Sequence, residues 1–213
     1  MTLHDLLGPL LQPAFHMGTV PTTWAELLGF VTGGVNVWLV VRQNILNWPI
    51  GIANVILLGL VFLDGGLYAD AGLQIVFVGL QAYGWWVWLY GGDARDALPV
   101  TRTTRGAWIA LLAAGAATTA VLTWMLTTWT DSTVPFWDAL TTALSLMAIY
   151  GQSRKLVESW YIWIAADLVY IPLYFYKDLK LTSALYIIFL TLCVLGLNAW
   201  RKDLRGRLAP VPA

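Results

Sequence analysis

Laid against itself at an offset of 112 residues, the separation of Arg42 from Arg154, the chain repeats without a gap from Trp24–Tyr90 onto Phe136–Arg201 and beyond. The frame carries Arg42/Arg154, Trp48/Trp160, Ile50/Ile162, Gly84/Gly196 and Trp88/Trp200 as identities, with Glu26/Asp138, Gly29/Thr141 and Gly33/Ser145 as close replacements. Leucines coincide through composition alone; two tryptophan pairs, an arginine and a glycine do not readily. Such a frame requires two copies of one unit, and the small pairs give both copies a face for close helix approach.

The unit is built for lipid. With 59% hydrophobic and only 11% charged residues the chain cannot make a water-soluble surface, which normally carries about a quarter charged residues. Apolar spans are predicted at roughly 24–42, 48–63, 69–90, 106–129, 134–152, 159–176 and 181–200, joined by connections too short for a soluble domain. The expected fold is therefore an all-α integral membrane protein of seven transmembrane helices in a 3+1+3 arrangement. Repeat one covers 24–90, the connector helix 106–129 and repeat two 134–201, all within a single membrane domain. Two three-span copies joined directly would be inverted; the extra span restores their orientation, giving parallel repeats as in SWEET transporters. Transport, with substrate bound where the halves meet, is the natural inference.

Basic residues set the orientation. One set of alternate loops holds Arg42, Arg95, Arg102, Arg105, Arg154, Lys155, Arg201, Lys202, Arg205 and Arg207; the other holds only Lys177 and Lys180. Ten against two places the N-terminus outside and the C-terminus in the cytoplasm of a multi-pass cell-membrane protein. Residues 1–23 have no basic residue ahead of an apolar run and are interrupted by Pro13, so a short surface segment is expected rather than a signal peptide or an eighth span. Thr23 with Glu26 reads as a capping box opening the first span.

The stretch Ser159–Tyr176 carries one carboxylate midway, since eighteen helical residues rise about 27 Å and put Asp167 near the bilayer centre. Trp160, Trp163, Asp167, Tyr170 and Tyr174 recur at intervals of three and four, so rings and acid share a stripe. Ionisable groups at this depth are expensive and commonly functional, although a buried acid can also be a satisfied partner between helices. The repeats diverge here: opposite Trp163, Asp167 and Tyr170 stand Gly51, Val55 and Leu58, while Gln74 and Gln81 face Tyr186 and Cys193. Gln74, Gln81, Trp85 and Trp88 form a further stripe, and Asn54 lies inside the second span. The predicted substrate-lining residues are Trp48, Asn54, Gln74, Gln81, Trp85, Trp163, Asp167, Tyr170 and Tyr186, with interhelical bonding as the alternative for each amide. Cys193 alone forms no internal disulfide and reads first as a small apolar filler. Pro172 is placed to kink the sixth span.

The sequence motifs do not point to an enzyme. His4 and His16 both precede the first span, removing paired haem ligands and a zinc HExxH helix. No GxSxG, P-loop or dinucleotide pattern occurs, and all four lysines lie at span ends, away from any retinal-like Schiff base. No cofactor, catalytic residue or metal is expected, and no nucleic-acid partner; the partners are a small molecule and the lipid bilayer, with a homo-oligomer open. A lining with acid and amides but no buried Arg or Lys does not suit a phosphorylated cargo.

The run Asn47–Trp88 and its partner Pro135–Leu179 resemble the PnuC family of bacterial vitamin transporters. The resemblance rests on Leu67–Asp70, Leu73–Gln74 and Tyr83–Trp85 in the first run, and on Pro135–Asp138 and Glu158–Trp163 in the second. It covers about Trp24 to Trp200 and implies a SWEET-like bundle. It further implies facilitated diffusion of an unphosphorylated vitamin that intracellular kinases trap. Among the branches the wording is most similar to the actinobacterial riboflavin transporters, which makes riboflavin the expected cargo and nicotinamide riboside the alternative, with thiamine third. Trp residues can sandwich a tricyclic ring; Asp167 would suit the positive charge of nicotinamide riboside.

Overall fold

The computed structural model describes residues 8–17, 20–64, 68–93, 96–176 and 180–208. Two short strands, β1 (Pro13–Met17) and β2 (Val20–Thr23), pair antiparallel ahead of the first helix. Among the described residues seven long helices follow: α1 (Trp24–Val41), α2 (Asn47–Asp64), α3 (Tyr68–Tyr90), α4 (Arg105–Trp129), α5 (Pro135–Ser153), α6 (Ser159–Tyr176) and α7 (Lys180–Leu208). Their bounds track the predicted spans to within a residue except at the end, where α7 runs past Trp200 as a charged helix. There the Asp203–Arg207 pair, 3.2 Å apart, and buried Leu204 extend it beyond the apolar stretch. The hairpin is not foreseen by the sequence reading of residues 1–23. Of the loop residues used in the charge count, Arg95 and Lys177 lie outside the described residues, as does Leu67.

Among the described residues three helices are, by length and composition, long and apolar enough to cross a membrane: Trp24–Val41, Arg105–Trp129 and Ser183–Arg207. The stretch Asn47–Leu63 of α2 is apolar as well. In α3, α5 and α6, Gln, Tyr, Trp and a carboxylate dilute hydropathy without preventing burial among other helices.

Helix starts follow their caps. The Thr23 hydroxyl accepts from Glu26 N at 3.2 Å while Thr23 N donates to the Glu26 carboxylate at 2.7 Å, so the capping box read from the sequence is present. Its counterpart Asp138, in the first turn of α5 behind Pro135, accepts from Ser132 Oγ at 2.8 Å. Thr104 caps α4 through Ala107 N.

The chain divides into two compact units, residues 1–86 and 87–213, and each contains the same turn. In the first, Arg42 N, Gln43 N and Asn44 N donate to Trp38 O, Val40 O and Leu39 O; in the second, Arg154 N, Lys155 N and Leu156 N donate to Tyr150 O, Gln152 O and Gly151 O. Gln43 and Lys155 take the left-handed conformation, φ 52° and 49°, uncommon for residues with a side chain. After each turn a tryptophan is seated against a glycine: Trp48 on Gly84, Trp160 on Gly196. A Cβ at either glycine would sit within the indole ring. Both indoles are fully buried, and with Gly84/Gly196 they occupy corresponding positions of the 112-residue frame.

Candidate functional site

In the second unit, α6 presents Trp163, Asp167, Tyr170 and Tyr174 one turn after another. Trp163 Nε1 donates to Gln152 Oε1 on α5 at 3.0 Å, and its ring packs beside Met147, Ala148 and Ile162. Gln152 is itself buried, and its backbone carbonyl accepts from Trp88 Nε1 at 3.0 Å, so one residue orders two indoles. One turn on, Asp167 is 3% exposed. The Cys193 thiol of α7 hydrogen-bonds to its carboxylate, while Oδ2 has no partner among the described residues. A buried carboxylate oxygen left open calls for a proton, a water or a ligand.

Beyond the acid the lining becomes aromatic. Tyr170 and Tyr174 stack at 5.5 Å between centroids with 14° between planes, and Tyr186 of α7 lies 4.6 Å from Tyr170 and 5.1 Å from Tyr174. Phe189 meets Tyr186 edge-on at 5.6 Å. The Tyr170 hydroxyl is 3.5 Å from Ser145 Oγ of α5, which fixes the ring from behind. From Trp163 to Tyr174 the stretch runs about 16 Å along α6, offering an amide and indole, then an acid and thiol, then three phenol rings. It can stack a flat ring, accept hydrogen bonds and hold a positive charge. Ser183 Oγ donates to Ile171 O, beside Pro172, at 2.9 Å. Among the described residues no three His, Cys, Asp or Glu side chains are grouped to hold a metal.

The first unit uses its polar groups differently. Asn54 Nδ2 donates to Gly29 O and, at 3.1 Å, to Thr32 Oγ1, so its amide is bonded to α1. Gln81, 6% exposed, lays its amide directly over Gly51, where an added Cβ would stand 2.5 to 2.8 Å from the amide atoms. The Gln74 stem passes Gly59 in ordinary contact. Trp48 is enclosed on Gly84, whereas Trp85 is 37% exposed. The structure thus gathers Trp163, Asp167, Tyr170 and Tyr186 in one stretch of the second unit. Asn54, Gln74, Gln81, Trp48 and Trp85 lie in the first unit, with Asn54 bonded to α1 and Trp48 enclosed.

Gln152, Ser145 and Cys193 complete the second-unit stretch and are not among the residues predicted for it. Ser145 was visible as half of a small-residue pair and Cys193 as the residue opposite Gln81, but neither signal showed what the side chain would touch. Gln152 had no signal beyond its place at a span end.

The family model described as nicotinamide mononucleotide transporter matches residues 23–202. The riboflavin/roseoflavin transporter RibM of Streptomyces davaonensis is 31% identical over 202 residues, covering 89% of this chain and 92% of that protein. The nicotinamide riboside transporter PnuC of Escherichia coli is 24% identical over 215 residues, covering 89% and 90%. The crystal structure of the vitamin B3 transporter PnuC superposes with a TM-score of 0.68 at 25% identity, over 86% of this chain and 83% of that one.

Proposed function

The chain belongs to the PnuC family of vitamin transporters, and from that premise we propose that it carries riboflavin into the cell by facilitated diffusion, with phosphorylation inside trapping the cargo. The observation that carries this reading is the Tyr170, Tyr174 and Tyr186 ring group set one turn from Asp167 and two from Trp163. A wide uncharged ring system finds stacking faces there, and Asp167 can accept from a ring N–H or a ribityl hydroxyl. The 31% identity to a riboflavin transporter supports the same cargo.

Trp163, Asp167, Tyr170 and Tyr186 would touch the cargo. Gln74, Gln81 and Trp85 belong to the same proposal as lining residues of the first unit, through their amides and an indole face. Trp48 and Asn54 would act from behind, seated on Gly84 and bonded to Gly29 and Thr32. Nicotinamide riboside is the second reading, favoured by the open Oδ2 of Asp167, which suits a fixed positive charge at membrane depth. Purified protein titrated with both compounds decides: stacking should quench flavin fluorescence. Nicotinamide riboside binding much more tightly, with that affinity lost in Asp167→Asn, replaces the cargo.

The layout of three helices, a connector and three helices, with repeats at 24–90 and 134–201, belongs to the same proposal. The duplicated turn and the paired Trp–Gly seats support it, and the ten-to-two distribution of basic residues supports an outer N-terminus and a cytoplasmic C-terminus. A reporter fused after Asp203 should be active only in the cytoplasm. Among the described residues Asp167 has a thiol beside it rather than a His, Glu or basic residue, which favours uniport over a proton relay. Energy-depleted vesicles should equilibrate cargo, and uncoupler-sensitive accumulation without a kinase overturns uniport.

A further inference from the structure

Past Trp200, α7 leaves the apolar stretch and sets Arg201 and Arg205 one turn apart on the same face, where like charges repel. With Arg102, from the segment ahead of α4, and with Val157, Glu158, Tyr161 and Leu204, they line a partly open cavity of about 320 Å³. Neighbours hold the backbone beside Arg102 and the side chain of Arg201. Thr101 pairs with the α5–α6 turn, Thr101 N to Lys155 O at 3.1 Å and Val157 N to Thr101 O at 3.0 Å, which anchors the backbone beside Arg102. The Tyr161 hydroxyl accepts from Arg201 and its ring lies under that guanidinium, 5.2 Å to the centroid.

The lining sets three arginines against one carboxylate. That carboxylate, Glu158, accepts from Thr103 N at 2.8 Å and Thr103 Oγ1 at 2.9 Å. Nearby Asp203 is paired with Arg207 outside the lining. Among the described residues none of Arg102, Arg201 and Arg205 forms an ion pair. Convergent planar forks with open donors match the oxygens of a phosphate, and basic pockets at the ends of membrane helices suit phosphate-bearing head groups.

We propose that this cavity is an anion site that binds a phosphate group, carried by an anionic lipid head group or by a free phosphate compound. It is separate from the Trp163–Tyr186 stretch and does not depend on which vitamin is carried. The test is thermal unfolding of the full chain in phosphatidylcholine nanodiscs. In one arm inorganic phosphate is titrated at constant ionic strength; in the other, part of the lipid is replaced by phosphatidylglycerol. Wild type and Arg207→Gln should be stabilised in at least one arm. Arg102→Gln and Arg205→Gln should each weaken the apparent affinity by roughly tenfold, as expected for loss of a charge-assisted hydrogen bond. Stabilisation by phosphate alone identifies a free ligand; stabilisation by phosphatidylglycerol that phosphate cannot add to identifies a lipid. No stabilisation in either arm overturns the site, as does an undiminished response in both Arg102→Gln and Arg205→Gln. An equal loss in Arg207→Gln also overturns it, because general positive charge then explains the effect.

Discussion

At the start of α2 and of α6 the two units are built alike, down to a left-handed residue in the turn and an indole pressed on a glycine. A turn or two further along they part. Gly51 lies under the Gln81 amide in one unit, while the corresponding positions in the other hold Trp163 and Cys193, so a small and a larger residue have exchanged places. Asn54 reaches Gly29 where the second unit has Ala166, and Val55, Leu58 and Gln74 correspond to Asp167, Tyr170 and Tyr186. The seats are close-packed joints that tolerate little change in volume, so duplication keeps them in both copies. Trp163, Asp167, Tyr170 and Tyr186 stand opposite Gly51, Val55, Leu58 and Gln74, so under the proposed function a repeated frame would carry unequal linings.

The seats should give the largest effects. Gly84→Leu and Gly196→Leu each force a fully buried indole out of place, an overpacking expected to cost about 3 kcal/mol or more. Both variants should lose most monodisperse protein on detergent extraction. Tolerance of one and failure of the other would break the equivalence of the two seats. Next come the positions where the units differ. Trp163→Ala and Asp167→Ala should reduce uptake by about tenfold, the factor carried by roughly 1.4 kcal/mol, with folded protein unchanged. Val55→Ala and Leu58→Ala should change uptake by less than about threefold. Asp167→Asn, assayed alongside, separates charge from hydrogen bonding.

Asn54→Ala should act on stability instead of cargo. Loss of its bonds to Gly29 and Thr32 should remove about 1 kcal/mol and lower the melting temperature by about 2–4 °C, with the preference between riboflavin and nicotinamide riboside unmoved. The smallest effect concerns the turn. Burial and the nearby Arg207 guanidinium lower the Lys155 amine from 10.5 to about 8, partly offset by Asp203. Between those values the unfolded chain holds a proton that the folded one has lost, so stability rises with pH across the window from about 8 to 10.5. Lys155→Met should flatten that rise in thermal scans; Gln43→Met, at the matching uncharged position, should leave it intact.

Helix positions were legible because apolar runs and short connections leave few choices in lipid, and the Thr23–Glu26 cap was legible because its geometry is local. The 112-residue frame also pointed to Trp48/Trp160 and Gly84/Gly196 as related positions. It did not show that these residues press on each other, because tryptophan near a span end reads equally as an interfacial anchor or a lining group. The extension of α7 escaped notice because apolarity marks where lipid ends, not where helical hydrogen bonding ends. In the site, the Trp163–Tyr174 stripe followed from helical spacing. Gln152 and Cys193 did not, since contacts from α5 and α7 depend on helix rotation that periodicity along α6 does not encode.

The indole seated on Gly196 also belongs to a chain of rings: Trp160 meets Trp200 edge-on at 5.4 Å and 87°, and Trp200 meets Trp88 at 6.0 Å and 56°. All three are buried, so their transition dipoles are locked in one chiral arrangement. The second unit therefore carries its own optical label. Near-ultraviolet circular dichroism should follow its tertiary packing directly, fading when side-chain order is lost even if the helices persist.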